Sequence, residues 1–521
     1  MPVSLFSTAR NTFFSVVAAL TLMATHAHSQ FSPKRELRAA WIATVVNIDW
    51  PSRKGLHAHE QQAEYVSLLD LLKSVGMNAV VVQVRPAADA FYPSSYEPWS
   101  EYLSGQPGKS PGPYYNPLTF MIEQAKRRGM EFHAWFNPYR VSMKDTFNFP
   151  QGHPIHSHRD WFVTYGGKWY YDPGHPDARE YVLASILETV KHYDLDGVHF
   201  DDYFYPYRIA KQEFPDSCSY EMYGRTTYDS VDDWRRNNVD TFVQQLALGI
   251  KREKPHVKFG ISPFGVWRNK DRDPEGSETQ AGQTNYDDLY ADVPKWLKEG
   301  WIDYVAPQLY WHIGFKVADY TVLLDWWSKD TYGGHLYIGQ AAYRIGGKGW
   351  EDSRELSNQV NLNRNYDEVK GSIYFNSKTF LEDKLSINAE IRSLYPHAAL
   401  IPTMSWIDAV PPEAPHFEGV AGNFESGLSL SWKDAIATDA SYYVVYRFDK
   451  GNLVSADNPS NIVGIVPRGS YAAQSWRDTT AATRTTYTYA ITAVDRSHNE
   501  STLSNPITIK IRGKSRAIKI P

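Results

Sequence analysis

The 521-residue sequence contains a single cysteine, Cys218. One thiol excludes an intrachain disulfide framework, a zinc site built from several cysteines and a CxxC redox pair. No reactive motif surrounds Cys218, so we expect it to be an incidental residue and not a nucleophile. The chain also lacks an internal apolar run of about 18 residues, the length that a membrane-spanning helix needs. A polytopic membrane protein is therefore excluded.

An excess of basic charge is also missing. The 54 Lys and Arg residues are outnumbered by 59 Asp and Glu, and the net charge is −5. A protein held to nucleic acid by bulk electrostatics needs a basic surface, so nucleic acid is not an expected partner. Aromatic residues are plentiful instead, at 14%, with 17 Trp and 35 Tyr. Rings of this kind pack cores, and they also suit the apolar C–H faces of sugars.

The first 29 residues have the features of a secretory signal peptide. Arg10 precedes an apolar run at residues 13–24, and small residues occupy the −3 and −1 positions of a cleavage site after Ser29. A membrane anchor is the alternative, but the run is short for a span. We expect export to the periplasm or cell surface. Lipid attachment is not expected, because no cysteine follows the apolar run.

Short apolar runs alternate with amphipathic helical patterns from residue 36 to residue 395. Tyr65, Leu68 and Leu72 recur at helical spacing. The β-branched run at 80–82 is typical of a parallel strand buried on both faces. Repeated strand–helix alternation predicts an α/β fold, a (β/α)8 TIM barrel over residues 30–395. A doubly wound open sheet is the alternative, but no phosphate-binding glycine motif follows the early strands. The predicted strands are 38–46, 79–85, 131–137, 197–201, 257–262, 302–309, 336–341 and 371–376.

The pattern changes at a proline-rich linker, residues 396–415, whose prolines make it stiff and extended. Beyond it, alternating runs at 428–432, 442–447 and 486–494 predict a small all-β sandwich. These runs resemble the strands of a fibronectin type III domain, and the resemblance covers residues 416–513. It implies a spacer or binding module without chemistry of its own. An envelope protein is a possible partner of this module.

The carboxyl ends of the predicted strands are rich in amides, carboxylates and rings. Catalytic groups of a TIM barrel lie at these ends, so a polysaccharide substrate is the expected partner of the cleft. A purely structural barrel would leave the strand ends ordinary. The predicted substrate-binding residues are Asp49, Arg85, Asp89, Trp135, Asn137, Arg140, His199, Tyr203, Arg268, Gln308, Tyr310 and Trp311.

The end of the fourth predicted strand is the most informative. Side chains alternate along a strand, so His199, Asp201 and Tyr203 share a face, and Asp202 takes the first loop position. Two neighbouring carboxyls cannot ionise independently, so one pKa should rise and separate an acid from a base. We therefore predict Asp201 and Asp202 as the catalytic pair. The alternatives are a loop start or helix cap for the aspartates, and a hydrogen-bonded interior side chain for His199.

No metal and no cofactor is predicted. His153, His156 and His158 share one loop, but their spacing matches no metal-binding motif, and a solvated loop explains them better. The two aspartates with Asp49 could hold a divalent cation, although nothing in the sequence selects a cation over acid–base chemistry.

Six strand-end segments resemble the glycosyl-hydrolase-like family 10, a likeness that extends over residues 34–395. The segments are 36–44, 83–90, 134–140, 196–203, 261–268 and 303–311. Bacterial members of this family include a divisome-localised peptidoglycan glycosyl hydrolase. The resemblance thus implies a cell-wall glycosidase of the bacterial envelope. Members often carry a lipid anchor, for which this chain lacks the cysteine.

Chitinase-type barrels carry the pattern D-G-x-D-x-D-x-E on the fourth strand, with the Glu as the acid. Asp196, Gly197 and Asp201 match this pattern, whereas His199 and Tyr203 replace its middle Asp and its Glu. A phenol is a much weaker acid than a carboxyl group, so the mechanism stays open. The sequence predicts an exported glycoside hydrolase of an amino-sugar polymer, above all peptidoglycan glycan. The alternative is a catalytically weak glycan-binding envelope protein that recruits partners.

Overall fold

The computed structural model describes residues 32–423, 427–436, 438–512 and 516–520. The predicted signal peptide of residues 1–29 lies outside the described residues. Within them, none of the helices combines the length and the apolar character that crossing a membrane requires.

Between residue 32 and the proline-rich linker the structure has ten strands. They are β1 (Leu37–Ile42), β2 (Ala79–Arg85), β3 (Glu131–Phe136), β4 (Phe162–Tyr165), β5 (Lys168–Tyr171), β6 (Gly197–Phe200), β7 (Lys258–Ile261), β8 (Tyr304–Val305), β9 (His335–Gln340) and β10 (Val369–Tyr374). β4 and β5 form an antiparallel hairpin, and the others close a barrel in the order β1-β10-β9-β8-β7-β6-β3-β2. Every pairing in this barrel is parallel. The predicted TIM barrel is confirmed, and each of its eight strands lies within or beside a predicted one.

β8 is only two residues long, although the pattern predicted a strand at 302–309. Pro307 has no N–H to donate to a ladder. Beyond it, single bridges join Gln308 to Phe264 and to Gly339. The chain therefore leaves the sheet early on this side of the barrel and supplies side chains to its mouth.

Helices surround the barrel. They are α1 (Ala58–Ser74), α2 (Glu101–Ser104), α3 (Pro117–Arg127), α4 (Pro176–His192), α5 (Ser217–Ser219), α6 (Val231–Glu253), α7 (Asn285–Asp288), α8 (Val293–Lys298), α9 (Tyr320–Ser328), α10 (Glu355–Asn363), α11 (Ser377–Glu382) and α12 (Ile387–Leu394). α1 buries the predicted apolar face that includes Tyr65, Leu68 and Leu72. α3 begins where the Asn116 side chain accepts a hydrogen bond from the Thr119 N–H, which satisfies one of the free donors of its first turn.

The C-terminal domain is a sandwich of two antiparallel sheets. Its strands are β11 (His416–Asn423), β12 (Gly427–Lys433), β13 (Tyr442–Asp449), β14 (Ile462–Pro467), β15 (Ala473–Asp478), β16 (Thr486–Val494), β17 (Ile507–Arg512) and β18 (Arg516–Ile520). One sheet has the order β11-β12-β15 and the other β14-β13-β16-β17-β18. Alternate residues of β12 are buried, and the Trp432 and Tyr443 rings meet edge to face at 5.3 Å between the sheets. The predicted all-β sandwich is confirmed.

The linker packs against both domains. Leu400 belongs to a cluster on the sandwich, whereas its neighbour Ile401 belongs to the apolar cluster inside the barrel. The Trp406 indole N–H donates to Asp303, and the His335 ring bonds the Thr403 carbonyl. Asp303 and His335 lie where β8 and β9 begin. The sandwich therefore sits at the amino-terminal end of the barrel, opposite the end where the predicted catalytic residues lie.

Candidate active site

Asp201 and Asp202 follow directly after β6 at the carboxyl end of the barrel. Val198 and Phe200 pack into the cluster between strands and helices, and His199 faces the barrel interior. The predicted alternation of this strand is therefore confirmed. Both carboxyl groups are almost fully covered, with Asp201 6% and Asp202 2% exposed. Their ionisation is consequently decided by protein groups more than by water.

Asn137, just after β3, orients the carboxylate of Asp201. Its Nδ2 lies 2.8 and 2.7 Å from the two Asp201 oxygens. Its Oδ1 accepts from Gln83 Nε2 at 2.6 Å and from Arg140 at 2.7 Å. Gln83 Oε1 in turn accepts the Thr44 N–H at 2.9 Å. Because a backbone N–H can only donate, each amide has one possible orientation, and Asn137 must present its N–H groups to Asp201.

Arg140 supplies positive charge beside this pair. Its guanidinium donates to the Pro86 carbonyl at 2.8 Å and lies over the Tyr203 ring at 5.4 Å. The Asp201 pKa is raised by burial, while Arg140 and the Asn137 N–H groups act in the opposite direction. These donors stabilise the ionised form of Asp201.

Asp202 has a different environment. Burial and the charge of Asp201 together raise the pKa of Asp202 to about 7, against the lowering effect of hydrogen bonds from Tyr207 and Gln308. The two carboxyls form a coupled pair in which one is poised to hold a proton near neutral pH. The pKa values of both carboxyls are raised, and the donors around Asp201 differ from those around Asp202, so the division into an acid and a charged partner stays a prediction.

Tyr207 was not among the predicted site residues. Its hydroxyl donates to Asp202 Oδ2, and its ring stacks on Tyr203 with centroids 5.3 Å apart. The sequence did carry a signal, because residues 203–207 form an aromatic run directly after the aspartates. Loop geometry, which no strand periodicity predicts, returns Tyr207 to the carboxyl group.

A row of aromatic rings extends from the carboxyl pair across the mouth. Tyr207 meets Phe264 edge to face at 6.3 Å, and Phe264 meets Trp311 at 5.5 Å. Tyr203 and Tyr207 are 38% and 37% exposed, so part of each residue is accessible to a ligand. Tyr310, next to Trp311 in the sequence, stacks on Phe375 with ring centroids 6.1 Å apart. We call Tyr203, Tyr207, Phe264 and Trp311 the aromatic row.

Arg85 and His199, both predicted to bind sugar, are buried and bonded to partners other than the carboxyl pair, whereas buried Asn137 orients Asp201. Arg85 is 0% exposed and pairs with Glu97, with 2.5 Å between Nη2 and Oε1. His199 is also 0% exposed and bonds Trp41 and Ser262. A sugar could reach either side chain only if these bonds were broken. Burial and these bonds favour structural roles inside the barrel for both residues, which for His199 is the interior alternative, and their sugar-binding roles stay predictions.

The other predicted residues surround the mouth at varying distance. Asp49 accepts backbone N–H groups of Ala43 and Lys378, and burial raises its pKa to about 7. Burial also raises the pKa of half-buried Asp89 to about 7. Arg268 is held in ion pairs by Asp273 and Asp287. The Trp135 side chain is buried near Asp201 and acts weakly against the rise in the pKa of Asp201 that burial causes. The structure thus gathers Asn137, Arg140, Trp135, Tyr203, Gln308 and Tyr310 around the carboxyl pair, whereas Asp49 and Arg268 are bound to other partners.

A cluster of three carboxylates lies elsewhere. Among the described residues, three acidic or histidine ligand atoms converge within 4.8 Å at Asp408, Asp439 and Asp495. These residues belong to the linker and the sandwich. The Asp49 carboxylate accepts two backbone N–H groups, and within the described part of the chain it forms no such group of ligand atoms with the aspartates of the mouth.

Comparison with known proteins identifies the family of the chain. The family model described as Glycosyl hydrolase-like 10 matches residues 36–354. Glycosyl hydrolase YngK of Bacillus subtilis (strain 168) is 49% identical over 486 residues, which cover 91% of this chain and 93% of that protein. Glycosyl hydrolase DigH of Escherichia coli (strain K12) is 39% identical over 371 residues, 65% of this chain and 82% of that protein. The solved PgaB (BpsB) glycoside hydrolase domain from Bordetella bronchiseptica covers 70% of this chain and 100% of its own, with a TM-score of 0.46 and 13% identity.

Proposed function

The chain belongs to the Glycosyl hydrolase-like 10 family and is a glycoside hydrolase, and from this premise we propose that it cleaves the glycan strands of bacterial peptidoglycan. The observation that carries the catalytic part is the buried Asp201–Asp202 pair at the mouth. The resemblance of the strand-end segments to a family with peptidoglycan hydrolases supports the choice of substrate.

We assign Asp202 as the general acid. With its pKa raised to about 7, a substantial fraction of Asp202 is protonated at neutral pH, and an acid is most effective when its pKa lies near the working pH. Protonation of the glycosidic oxygen by Asp202 would let the leaving sugar depart as an alcohol. Tyr207 fixes the Asp202 carboxyl through the bond to Oδ2.

Asp201 is the charged partner in this proposal. Both of its oxygens accept from Asn137, and Arg140 and these N–H groups oppose the rise in its pKa that burial causes. A carboxylate held in this way can stabilise the positive charge that develops on the sugar ring and can act as base or nucleophile toward it. The aromatic row then offers flat apolar faces for neighbouring sugars of the chain.

Export and partner binding complete the proposal. The signal-like segment at residues 1–29 supports delivery to the periplasm or cell surface, where peptidoglycan lies. The partner proposed for the C-terminal domain is an envelope protein, which the resemblance of this domain to a binding module supports.

The proposal is tested by counting new reducing ends on purified glycan strands freed of stem peptides. The wild-type protein should release them, and Asp202→Asn should reduce the rate by about two to four orders of magnitude while still sedimenting with the glycan. Binding by wild type without turnover would support the glycan-binding alternative. Turnover restricted to another amino-sugar polymer would retain the glycosidase and refute the peptidoglycan assignment.

A further inference from the structure

A continuous hydrogen-bond chain runs through the barrel from the sandwich toward the catalytic strand. His498 Nε2 lies 2.7 Å from Glu131 Oε1, and Glu131 Oε2 lies 3.1 Å from His133 Nε2. His133 Nδ1 lies 2.8 Å from the Tyr304 hydroxyl, which lies 2.9 Å from His199 Nδ1. Barrel interiors are mostly filled by branched apolar side chains. A polar chain in this position therefore calls for an explanation.

The direction of every hydrogen bond in this series can be deduced from the Trp41–His199 bond at its upper end. The Trp41 indole can only donate, and it lies 3.1 Å from His199 Nε2, so that nitrogen is an acceptor. The His199 proton must then be on Nδ1, which donates to Tyr304. The Tyr304 hydroxyl therefore donates to His133 Nδ1, and His133 donates through Nε2 to Glu131. Burial lowers the pKa of His199, in agreement with a neutral ring.

Two glycines make room for these rings. A Cβ atom at Gly260 would lie 1.9 Å from Cζ of Tyr304, and one at Gly197 would lie 2.9 Å from the His133 ring. Any larger residue at either position would displace a member of the chain. The strands can therefore accommodate the hydrogen-bond chain only because both positions are glycine.

The lower end of the chain is a buried ionic centre shared by both domains. Glu131 accepts from Lys258 at 2.7 and 2.8 Å in addition to its two histidine bonds. Burial acts to raise the pKa of Glu131, but Lys258 and His498 outweigh it, and the pKa lies well below its usual range. Tyr442 of the sandwich bonds the other nitrogen of His498 at 3.2 Å. The sandwich therefore supplies one of the donors that keep Glu131 ionised.

Other contacts show that the sandwich is firmly docked. Glu500 of the sandwich pairs with Lys34, which precedes β1, at 2.5 Å. The Met404 N–H donates to the Ser497 carbonyl at 2.9 Å. Domains joined by a free tether would not share hydrogen bonds at each of these places.

We propose that the sandwich is a structural part of the catalytic unit and helps to position the catalytic strand from the amino-terminal end of the barrel. His498 completes the buried centre around Glu131, and the hydrogen-bond chain through Tyr304 holds His199 and with it β6, which Asp201 directly follows. His498 and Tyr304 are positioning residues in this scheme. The positioning half rests on the proposed glycosidase function, whereas the docking half does not.

Calorimetry of the full chain tests the docking half. Wild type should unfold in a single transition, and His498→Leu should lower the midpoint by several degrees. Arg496→Ala provides the matched control, because its pair with Asp194 crosses the same interface with exposed side chains and should contribute little. Separate transitions of barrel and sandwich in wild type, or equal effects of the two substitutions, would overturn the docking half.

Nitrogen-15 spectra of the histidine rings test the positioning half. Tyr304→Phe keeps the ring but interrupts the chain, so the His199 nitrogen shifts should change, and kcat should fall about tenfold with KM unchanged. His498→Leu should perturb the same His199 signals from the far end. If His498→Leu does not fold, Tyr442→Phe takes its place in this test, because this variant removes only the hydroxyl that bonds His498.

Unchanged His199 signals in the folded His498 or Tyr442 variant would overturn the positioning half. If the wild-type protein hydrolyses no glycan, the proposed function fails, but the melting curves and ring spectra still decide between a coupled and an independent sandwich.

Discussion

The barrel buries carboxyl groups at its mouth, where Asp201 and Asp202 lie, and at its amino-terminal end around Glu131, which we call the floor. The surroundings shift the pKa values of these groups in opposite directions at the two ends. At the mouth, the pKa of Asp202 rises to about 7, because burial and the charge of Asp201 outweigh its neutral hydrogen-bond donors. At the floor, the pKa of Glu131 falls well below its usual range, because Lys258 and the histidines outweigh burial.

The difference teaches that burial alone does not decide whether a carboxyl group is an acid or a fixed charge. Desolvation acts in the same direction at both ends of the barrel, and the neighbouring groups decide the outcome. Hydroxyl and amide partners leave Asp202 able to exchange a proton. An ammonium partner makes Glu131 a permanent anion, which suits a structural centre.

The largest loss of activity is expected when either aspartate of the mouth is replaced, and two substrates distinguish their roles. Asp202→Ala should lose about two to four orders of magnitude on a glycan, but much less on an aryl glycoside, whose leaving group needs no proton. Asp201→Ala should lose activity on both substrates. Rates on the two substrates measure the difference. Equal losses in both variants on the aryl glycoside would contradict the assignment of Asp202 as the acid.

The ionic centre around Glu131 is disrupted when its cation, Lys258, is removed. Lys258→Met leaves the carboxylate of Glu131 buried without its ammonium partner and should cost about 3–5 kcal/mol of unfolding free energy. Denaturant unfolding measures this loss. The double variant Lys258→Met, Glu131→Gln removes the charge as well and should recover much of it. A single variant as stable as wild type would show that the ion pair contributes nothing.

The orientation of Asp201 is probed through its amide partner. Asn137→Ala removes the N–H groups from Asp201 and should lower kcat about 10- to 100-fold, the scale of a hydrogen bond to a charged group. Asn116→Ala is a matched control, since Asn116 caps α3 and should affect stability without changing kcat. A variant of Asn137 with wild-type kcat would remove this residue from the catalytic arrangement.

The smallest effect concerns the pH dependence. Asp202 acts in its protonated form, so kcat/KM should fall as pH rises through about 7. The Tyr207 hydroxyl stabilises the ionised form, so Tyr207→Phe should move this alkaline limb to higher pH. Tyr114→Phe, at an exposed tyrosine, is the control. A limb that stays in place, or moves to lower pH, would contradict the role of the Tyr207 hydroxyl.

Much of the mouth was predictable because parallel barrel strands present their carboxyl ends at one edge. The alternation along β6 places His199 and Asp201 on the same side without any knowledge of the fold, and Asn137 follows from the end of β3. Arg85 shows the limit of this reasoning. Its position at a strand end is as predicted, but Glu97 from a later loop takes its guanidinium into the core.

The sequence by itself determined the order of strands and helices and the polar character of the strand ends, because these depend on local periodicity. Only the tertiary structure decided which of those polar groups reach the mouth. It also decided that Glu131 meets His498, residues separated by 367 positions. Contacts of this kind arise from the closure of the barrel and the docking of the sandwich, and the free energies that select them belong to neither segment alone.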